Sequence, residues 1–298
     1  MEWGGAILAK LAYEDVKYVL CETFNLQNEV AAYYEDGRID RVFVTDLWLD
    51  APMLSTIAND EQLKDKFFVF NHHKSVLEGN TNIYPFTTIQ ISDEKELCSG
   101  TSLFYEYLVR IGLIDGLSQA IYDFSELTRK YDTWEWKTKY DGEMPHELSL
   151  LFDAVGCEGY ITLLYEKLRQ SKNESFSFTE LEKMLIQNKI AQVEEKIENY
   201  AKKVYYSEIL GYKAGIVFID YEYRNDLAEY FRQQGYDMDF AMLIALDSGT
   251  VSYRSIKDDM NVRLIAEAMG GKGHDKAASS PISEEQKKVL VKILTNYQ

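Results

Sequence analysis

The chain has 298 residues, of which 46% are hydrophobic and 27% charged, with four prolines and three cysteines. This composition is typical of a globular protein with one large or two modest domains, and it excludes collagen, long disordered tracts and a disulfide-rich scaffold. The formal net charge of −17 disfavours binding to duplex DNA, because an acidic surface repels a long polyanion.

The sequence contains no signal for a membrane or for secretion. It has no run of about 18 apolar residues, and the residues after Met1 lack the basic segment that opens a signal peptide. The cysteines Cys21, Cys98 and Cys157 are odd in number and widely spaced, which is typical of free thiols in a reducing compartment. We therefore expect a cytoplasmic protein with no membrane contact.

Short apolar strands alternate with helices over the first half of the chain. Strands are predicted at residues 16–20, 42–44 and 67–70, and helices at residues 25–35, 53–66, 102–111, 117–129 and 147–155. Apolar strands separated by helices are typical of a doubly wound, mostly parallel sheet with helices on both faces. In such a sheet the chemistry lies just beyond the carboxyl ends of the strands.

A long helix and a smaller α/β unit follow. Ser177 and Glu180 form a capping-box pattern, and apolar residues continue at helical spacing as far as Val204. After this helix, strands are predicted at residues 214–219, 240–246 and 251–255, and helices at residues 224–234 and 262–269. The predicted organisation is a first domain over residues 1–175, a connector helix over residues 176–205 and a smaller domain over residues 206–298.

Polar side chains follow two predicted strands of the first domain. Asp46 comes after the second strand, and His72 and His73 come shortly after the third. A buried carboxylate at a strand end needs a cation or a helix end. Adjacent imidazoles on an extended segment point to opposite sides, so that one can bind a metal and the other a phosphate. The alternatives are that Asp46 caps the next helix and that the histidines lie in an ordinary polar loop.

A third acidic residue, Asp132, lies in the aromatic segment Tyr131–Trp136. Burial among aromatic rings raises the pKa of a carboxyl group unless a cation compensates. The alternative is an aromatic core patch beside an exposed acid.

The smaller domain has a glycine-rich segment in which Gly270, Gly271, Gly273 and His274 precede two alanines. Glycines let backbone N–H groups approach a phosphate, and a nearby Lys or His adds positive charge. Arg254, on a predicted strand, suits a bidentate phosphate contact, although it fits equally a surface arginine. Residues 206–298 carry 11 Lys and Arg against 14 Asp and Glu. This part of the chain is therefore less acidic than the rest and is the more favourable place for a phosphate.

Together these motifs resemble the DHH phosphoesterase family with a DHHA1 domain. The shared pattern is an aspartate after one apolar strand, a His-His pair after the next and a later buried aspartate. Ser-x-Arg-Ser and Gly-Gly-x-Gly-His-x-x-Ala-Ala then follow in a separate domain. The segment Cys98–Ser102 is similar to the start of the family's central helix, and Tyr131–Trp134 is similar to the oligoribonuclease branch, which degrades short RNAs. The resemblance covers nearly the whole chain.

The resemblance implies two divalent cations, usually Mn²⁺, in a cleft between the domains, with in-line attack of hydroxide on phosphorus. By position, Asp46 would bridge the two metals, His72 and Asp132 would bind one of them, and His73 would contact the scissile phosphate. The residues implied to hold the far end of the substrate are Arg254, Gly270, Gly271, Gly273 and His274.

This sequence departs from the family pattern at three places. Asn71 stands where the family has Asp, and it can still orient the following histidine by a hydrogen bond. Lys272 replaces a glycine, which adds a cation and narrows the loop. The family's opening strand with His-x-Asp-x-Asp-Gly, which supplies three metal-binding side chains, is missing, since residues 1–10 look like the helix that follows it.

The missing motif would deprive one metal of most of its protein ligands. The missing strand is central in the family's sheet, so its loss would also expose unpaired backbone edges. Two explanations compete. The chain is a truncated or mis-started version of an active enzyme, or it is a natural remnant that binds nucleotides without cleaving them.

The expected function is metal-dependent hydrolysis of short oligoribonucleotides or dinucleotides to mononucleotides, as a 3′–5′ exoribonuclease-like enzyme. One alternative is a catalytically inactive nucleotide-binding remnant. Another is an exonuclease on single-stranded DNA, which the net charge of −17 disfavours. The expected partners are short RNAs or dinucleotides, with neither duplex DNA nor a membrane, and the sequence leaves a homodimer open.

Overall fold

The structure of the protein is a computed structural model that describes residues 3–21, 25–74, 76, 84–93, 96–140, 142–171 and 174–295. It divides into two compact units, Met1–Lys189 (unit 1) and Ile190–Gln298 (unit 2). The described helices of unit 1 are α1 (Trp3–Ala12), α2 (Leu26–Ala31), α3 (Ala51–Ala58), α4 (Glu61–Lys66), α5 (Gly100–Arg110), α6 (Gln119–Asp132), α7 (Glu135–Thr138) and α8 (Met144–Gln170). Its strands are β1 (Val42–Thr45), β2 (Phe67–Asn71) and β3 (Thr87–Ile89).

Unit 1 is built on a parallel sheet with the strand order β1-β2-β3. The register aligns Val42 with Phe67 and Thr45 with Phe70. The carboxyl ends of β1 and β2 therefore meet at one edge of the sheet. The predicted α/β class, with a mostly parallel sheet in the first part of the chain, is confirmed.

Helices cover both faces of this sheet because each strand is apolar on both sides. Val44 and Val69 point into a core formed with α2, α3 and α4. On the opposite face, the rings of Phe43 and Phe70 pack on Phe104 of α5, with centroids 4.8 and 5.3 Å from it. This is the doubly wound arrangement that the apolar strands predicted.

The strand predicted at residues 16–20 is wrong, because this segment has no regular structure. No strand in the described part of the chain pairs with the outer edge of β1. A cavity of about 570 Å³ lies between that edge, α1 and residues 15–21. A strand depends on partners for its N–H and C=O groups, and here the apolar segment borders a cavity instead of a neighbouring strand.

Two helices replace the one predicted over residues 53–66. The break lies at Asp60, whose side chain accepts hydrogen bonds from the backbone N–H groups of Gln62 and Leu63 and so caps α4. The sequence pattern missed this cap because the apolar spacing continues across it.

Helix α8 is longer than the predicted 147–155 and changes direction at Gly156, whose φ of 71° and ψ of 171° are not helical. By length and composition alone α8 could cross a membrane, a test that core helices of soluble proteins also pass. It packs against α1 and α6, and its residues Leu148, Leu151 and Leu164 are fully buried. We interpret α8 as a core helix of unit 1.

The long helix α9 spans Glu180–Ala201, or about 33 Å at 1.5 Å per residue. Its capping box consists of Thr179 and Glu182, which bond each other's backbone N–H groups, and not of Ser177 and Glu180. Both pairs fit the same pattern. The second is selected because Glu182 is buried and forms an ion pair with Lys167 of α8.

Unit 2 contains a six-stranded sheet with the order β4-β5-β6-β7-β9-β8, in which only β5 and β6 are parallel. Its strands are β4 (Tyr205–Ile209), β5 (Tyr212–Phe218), β6 (Phe240–Ala245), β7 (Thr250–Ser255), β8 (Lys272–Gly273) and β9 (Ala277–Pro281). Its helices are α10 (Arg224–Gln233), α11 (Val262–Ala268) and α12 (Glu284–Thr295). The hairpin predicted between β6 and β7 is confirmed, whereas β4, β8, β9 and α12 were missed.

Two helices cover opposite faces of the second sheet. Helix α10 packs in a core with Val217, Ala241 and Leu243. Helix α11 packs in a separate core with Tyr253 and Ala278. Side chains at alternate positions of β7 therefore face different helices, which places Arg254 on the α10 side.

Candidate functional site

Asp46 follows β1 directly and adopts a φ of 62°, in the left-handed region that is uncommon for a residue with a Cβ. Its backbone N–H still donates to the carbonyl of Phe70, 3.0 Å away. The turn brings the carboxylate to the N-terminus of α5, where the backbone N–H of Gly100 donates to Oδ1. Asp46 does not cap the next helix, because Asp50 does, and that alternative is wrong.

Gly100 is the close neighbour that makes this position possible, and sequence reasoning missed it. A Cβ at residue 100 would lie 2.5 Å from both the backbone N and Oδ1 of Asp46. The adjacent Ser99 and Ser102 form a capping box that fixes the first turn of α5. The Ser-x-x-Ser spacing was the available signal, since it marks the helix start next to the carboxyl ends of the strands.

The structure brings together the three side chains expected to bind metal. Nε2 of His72 lies 3.1 Å from Oδ2 of Asp132 and 3.5 Å from Oδ1 of Asp46. One ligand atom from each residue lies within 4.8 Å of the others. Within the described ranges, no other group of three His, Cys, Asp or Glu side chains is close enough to hold an ion.

The charges in this cluster depend strongly on one another. Burial, together with the negative charge of Asp132, raises the pKa of the Asp46 carboxyl to about 7. Burial alone would also raise the pKa of Asp132, but nearby positive charge, to which His72 contributes, lowers the pKa to about 2. The pKa of His72 is raised, because the nearby Asp132 and Asp46 carboxylates outweigh the effect of burial.

A divalent cation fits this donor set. Oδ2 of Asp46 and Nε2 of His72 are buried, and neither forms a well-aligned hydrogen bond within the described part of the chain. Ligands bind divalent cations at about 2.0–2.6 Å, so neighbouring ligands of one ion lie about 3–4 Å apart, which matches the distances of 3.1 and 3.5 Å here. A cation would also offset the cost of burying two carboxylates together.

His73 is held by Asn71, which stands where the DHH family has Asp. Oδ1 of Asn71 accepts a hydrogen bond from the backbone N–H of His73 at 2.8 Å and lies 3.1 Å from Nδ1 of its ring. Asn71 therefore orients His73 and not the directly following His72. Burial and the charge of His72 lower the pKa of His73. With Nδ1–H donated to Asn71, Nε2 is the nitrogen left for a substrate.

A buried arginine supports the Asp132 end of the cluster, and sequence reasoning missed it as well. Arg129 precedes Asp132 by three residues on α6 and is 3% exposed. It forms ion pairs with Glu96 at 2.7 Å, with Glu126 at 2.9 Å and with Glu135. These bonds connect the end of α6 to the turn that follows it and so fix the backbone around Asp132.

In unit 2, Arg254 lies on β7 with both edges of its guanidinium occupied by neutral oxygens. Nε and Nη2 bond Oδ1 of Asn225 at 3.2 and 3.1 Å. No carboxylate lies within 4 Å of it among the described residues. Burial and the charge of Arg224 lower its pKa. A partly buried cation without an acidic partner favours an incoming anion.

The strand register places His274 and Lys272 on the same face as Arg254. Arg254 pairs with Ala277, and Ala277 exchanges backbone hydrogen bonds with His274. Directly opposite residues share a face, so Arg254 and His274 lie on one face, about 10 Å apart across two strand spacings. Lys272 precedes His274 by two residues and shares that face.

The backbone of unit 2 requires glycine at the positions that were expected to contact a phosphate. Gly270 has a φ of 76° after α11, which is a common helix end. A Cβ on Gly271 would lie 2.1 Å from the carbonyl oxygen of Ser279, and one on Gly273 would lie 2.4 Å from Cα of Ala278. The tight packing of β8 on β9 therefore explains these residues without a ligand.

The chain was compared with protein families, with curated proteins and with solved structures. No protein-family model matches the chain. Oligoribonuclease NrnB of Bacillus subtilis is 28% identical over 97% of this chain and 72% of its own length. The resemblance to the DHH phosphoesterases, in their oligoribonuclease branch, is confirmed.

Two solved structures share the fold of this DHH-like chain. A pGpG-specific phosphodiesterase, PggH from Vibrio cholerae, matches with a TM-score of 0.52 and 14% identity over 98% of this chain and 93% of its own. The DHH domain of a protein described as a member of a ribosomal protein family matches with a TM-score of 0.56 and 13% identity over 99% and 83% of the two chains. Both agree with the two-part α/β architecture.

Replacing Gly100 by Ala should weaken metal binding by the Asp46 cluster. The new Cβ would displace the Asp46 carboxylate, and lost support of a ligand typically costs about 10–100-fold in metal affinity. Mn²⁺ affinity can be measured by calorimetry or by the electron paramagnetic resonance of free Mn²⁺. Gly37→Ala is the control, because a Cβ there meets nothing within 4 Å. Equal Mn²⁺ affinities for the two variants would contradict the assignment.

Replacing Gly271 by Ala should destabilise unit 2 whether or not a nucleotide is present. The overlap with the backbone of β9 resembles overpacking, which costs about 1–3 kcal/mol. Thermal unfolding without ligand is the measurement, and Gly142→Ala, which places a Cβ in open space, is the comparison. An unchanged unfolding curve with loss of nucleotide binding would show instead that Gly271 serves the ligand.

Proposed function

We propose that this protein is a metal-dependent phosphodiesterase that hydrolyses short oligoribonucleotides or dinucleotides to mononucleotides. The observation that carries the proposal is the meeting of Asp46, His72 and Asp132 at the carboxyl ends of β1 and β2. Two carboxylates and an imidazole form a donor set suited to a divalent cation such as Mn²⁺.

The similar proteins support the same chemistry. The relative with 28% identity is named as an oligoribonuclease, and one structure that shares the fold is named as a phosphodiesterase specific for the dinucleotide pGpG. Both names describe cleavage of a phosphodiester in a short RNA. The cluster found here is the kind of site that such a reaction uses.

Each residue of the cluster has a task that follows from its surroundings. A divalent cation bound here would neutralise phosphate charge and make water a better nucleophile at neutral pH. Asp46 and Asp132 would hold the cation, and His72, between them, would complete the donor set. His73, fixed by Asn71, would present Nε2 to the scissile phosphate and would donate a hydrogen bond to it when protonated.

The face of unit 2 that carries Arg254 suits a phosphate of a short oligonucleotide. Arg254, Arg224 and Lys272 supply positive charge within a chain whose net charge is −17, and His274 adds an imidazole that can form a hydrogen bond. A few local cations can hold one or two phosphates, whereas a long strand would meet the acidic surface beyond them. This disfavours the single-stranded DNA exonuclease alternative.

Asp46→Asn and Asp132→Asn should each abolish the activity. Each change keeps the shape of the side chain but removes the negative charge that holds the cation. We expect Mn²⁺-dependent release of AMP from pApA to fall more than about 100-fold in kcat/KM, because losing a ligand costs more than losing one of its supporting bonds. Chromatography of the products measures the release, and EDTA should stop it.

Asp65→Asn is the matched control, because Asp65 is exposed on α4 and should keep full activity. If the wild-type chain binds pApA in the presence of Mn²⁺ but releases no AMP, the nucleotide-binding alternative is correct. Cleavage of long single-stranded DNA in preference to pApA would favour the exonuclease alternative.

Arg254→Lys should raise KM for pApA about 10-fold or more with little change in kcat. A lysine keeps the charge but cannot form the paired bonds to Asn225 that hold the guanidinium in place. Steady-state kinetics with Mn²⁺ is the measurement. Arg263→Lys is the control, because Arg263 is exposed and lies beside the acids Glu267 and Asp275. Unchanged KM in Arg254→Lys would remove Arg254 from the substrate site.

A further inference from the structure

Four nearly parallel rings lie beside Asp132. The ring of Trp136 is stacked on His146, with centroids 5.0 Å apart and an interplanar angle of 9°, and on Tyr131 at 6.1 Å and 9°. Trp134 adds a fourth ring, 6.3 Å from Trp136 at 25°. Nothing in the proposed chemistry of the cluster uses these rings.

Trp134 is the exposed member of this stack, and its backbone is unusual. It is 55% exposed and has a φ of 60°, in the left-handed region that disfavours any residue with a Cβ. A glycine or an asparagine would meet the backbone requirement more easily. Burial does not explain the indole either, because more than half of it faces solvent. Backbone strain of this kind is common at functional sites.

The turn that carries Trp134 is fixed on both sides. Its backbone N–H donates to the carbonyl of Tyr131 at 3.2 Å, and its own carbonyl accepts from the backbone N–H of Lys137 at 3.1 Å. The hydroxyl of Thr138 donates to the same carbonyl at 3.1 Å. The next residue, Glu135, is bound by the buried Arg129. The backbone of Trp134 is therefore fixed, and its indole is presented to solvent.

We propose that the exposed indole of Trp134 is a stacking site for a nucleobase of the substrate. This inference rests on the proposed function, because it assigns a place to the base whose phosphate lies at the Asp46 cluster. Trp134 follows Asp132 by two residues, so their Cα atoms are at most about 7.6 Å apart. A base joined through its sugar to a phosphate at the cluster can reach that distance.

Stacking on an indole also predicts how the site selects its ligand. Every nucleobase has a π-face, so stacking tolerates any base and distinguishes a nucleotide from a phosphate or an abasic sugar. Tyr131, Trp136 and His146 support Trp134 from within unit 1 and extend the aromatic surface. The site therefore selects for the presence of a base without reading its identity.

Trp134→Ala and Trp134→Phe test the proposal against Tyr122→Ala. Tyr122 is a matched control, because it is 47% exposed and lies on α6 ten residues before Asp132, or about 15 Å along the helix. Binding of pApA is measured by calorimetry in Mn²⁺, with a methylene group in place of the bridging ester oxygen of both probes to prevent hydrolysis. A second probe is the analogue of pApA in which one base is replaced by hydrogen. Thermal unfolding without ligand verifies that each variant is folded.

We expect Trp134→Ala to weaken pApA binding about 10-fold, Trp134→Phe to retain most of the affinity, and Tyr122→Ala to match the wild type. Binding of the abasic analogue, with the base missing at the stacking position, should be the same in the wild type and in Trp134→Ala. Equal loss of affinity for both probes would show a structural role and overturn the proposal, as would wild-type affinity for pApA in Trp134→Ala.

The same variants separate this inference from the proposed function. If pApA binds in a Trp134-dependent manner but Mn²⁺ yields no AMP, the stacking site stands and the phosphodiesterase proposal fails. If the wild type releases AMP while Trp134→Ala has unchanged affinity and KM, the phosphodiesterase proposal stands and the stacking site fails.

Discussion

The arrangement of unit 1 depends on placing two carboxylates side by side away from water. Asp46 and Asp132 meet at one imidazole, and burial raises the pKa of Asp46 to about 7. Such a pair is unfavourable unless a positive charge joins it. The parallel sheet brings the Asp46 and His72 backbones to one edge, and the N-terminus of α5 supplies an N–H group to Asp46. A divalent cation would bring such a charge.

Residues around the cluster keep its side chains in place despite the energetic cost of burying two carboxylates together. Gly100 allows α5 to approach where any Cβ would collide with Asp46. Arg129 connects the end of α6 to the following turn through Glu135 and to the segment before α5 through Glu96. Because Arg129 is buried, its bonds are not screened by water and have strict geometry. The left-handed backbone at Asp46 and at Trp134 persists because neighbouring hydrogen bonds fix both turns.

Unit 2 presents basic side chains on a sheet face, whereas unit 1 buries carboxylates at a sheet edge. Arg254 lies on a sheet face with neutral partners, and the register adds His274 and Lys272 to that face. The sheet itself requires the glycines of this segment, since β8 packs directly on the backbone of β9. The glycines therefore shape the strand edge, and the charged side chains provide the chemistry for a phosphate.

The sequence by itself determined the α/β class and most of the helices, because apolar periodicity is a local property. The ends of two strands indicated Asp46 and His72, whereas Asp132 was assigned to the same site only through the resemblance to the DHH family. Prediction from the sequence was wrong where contacts between distant residues determine the local structure. The segment 16–20 has the composition of a strand but no strand beside it in the described part of the chain. Overlapping capping patterns at the start of α9 were resolved only by the buried pair of Lys167 and Glu182.

Only the tertiary structure shows which residues support the site. Gly100 and Arg129 are ordinary in the sequence, and their roles come from elements that lie 54 and 33 residues away along the chain. The stacked rings beside Asp132 join Trp136 to His146 of another helix. Local patterns specify which residues are polar and where strands end, but only packing specifies which backbone groups and charges those residues meet.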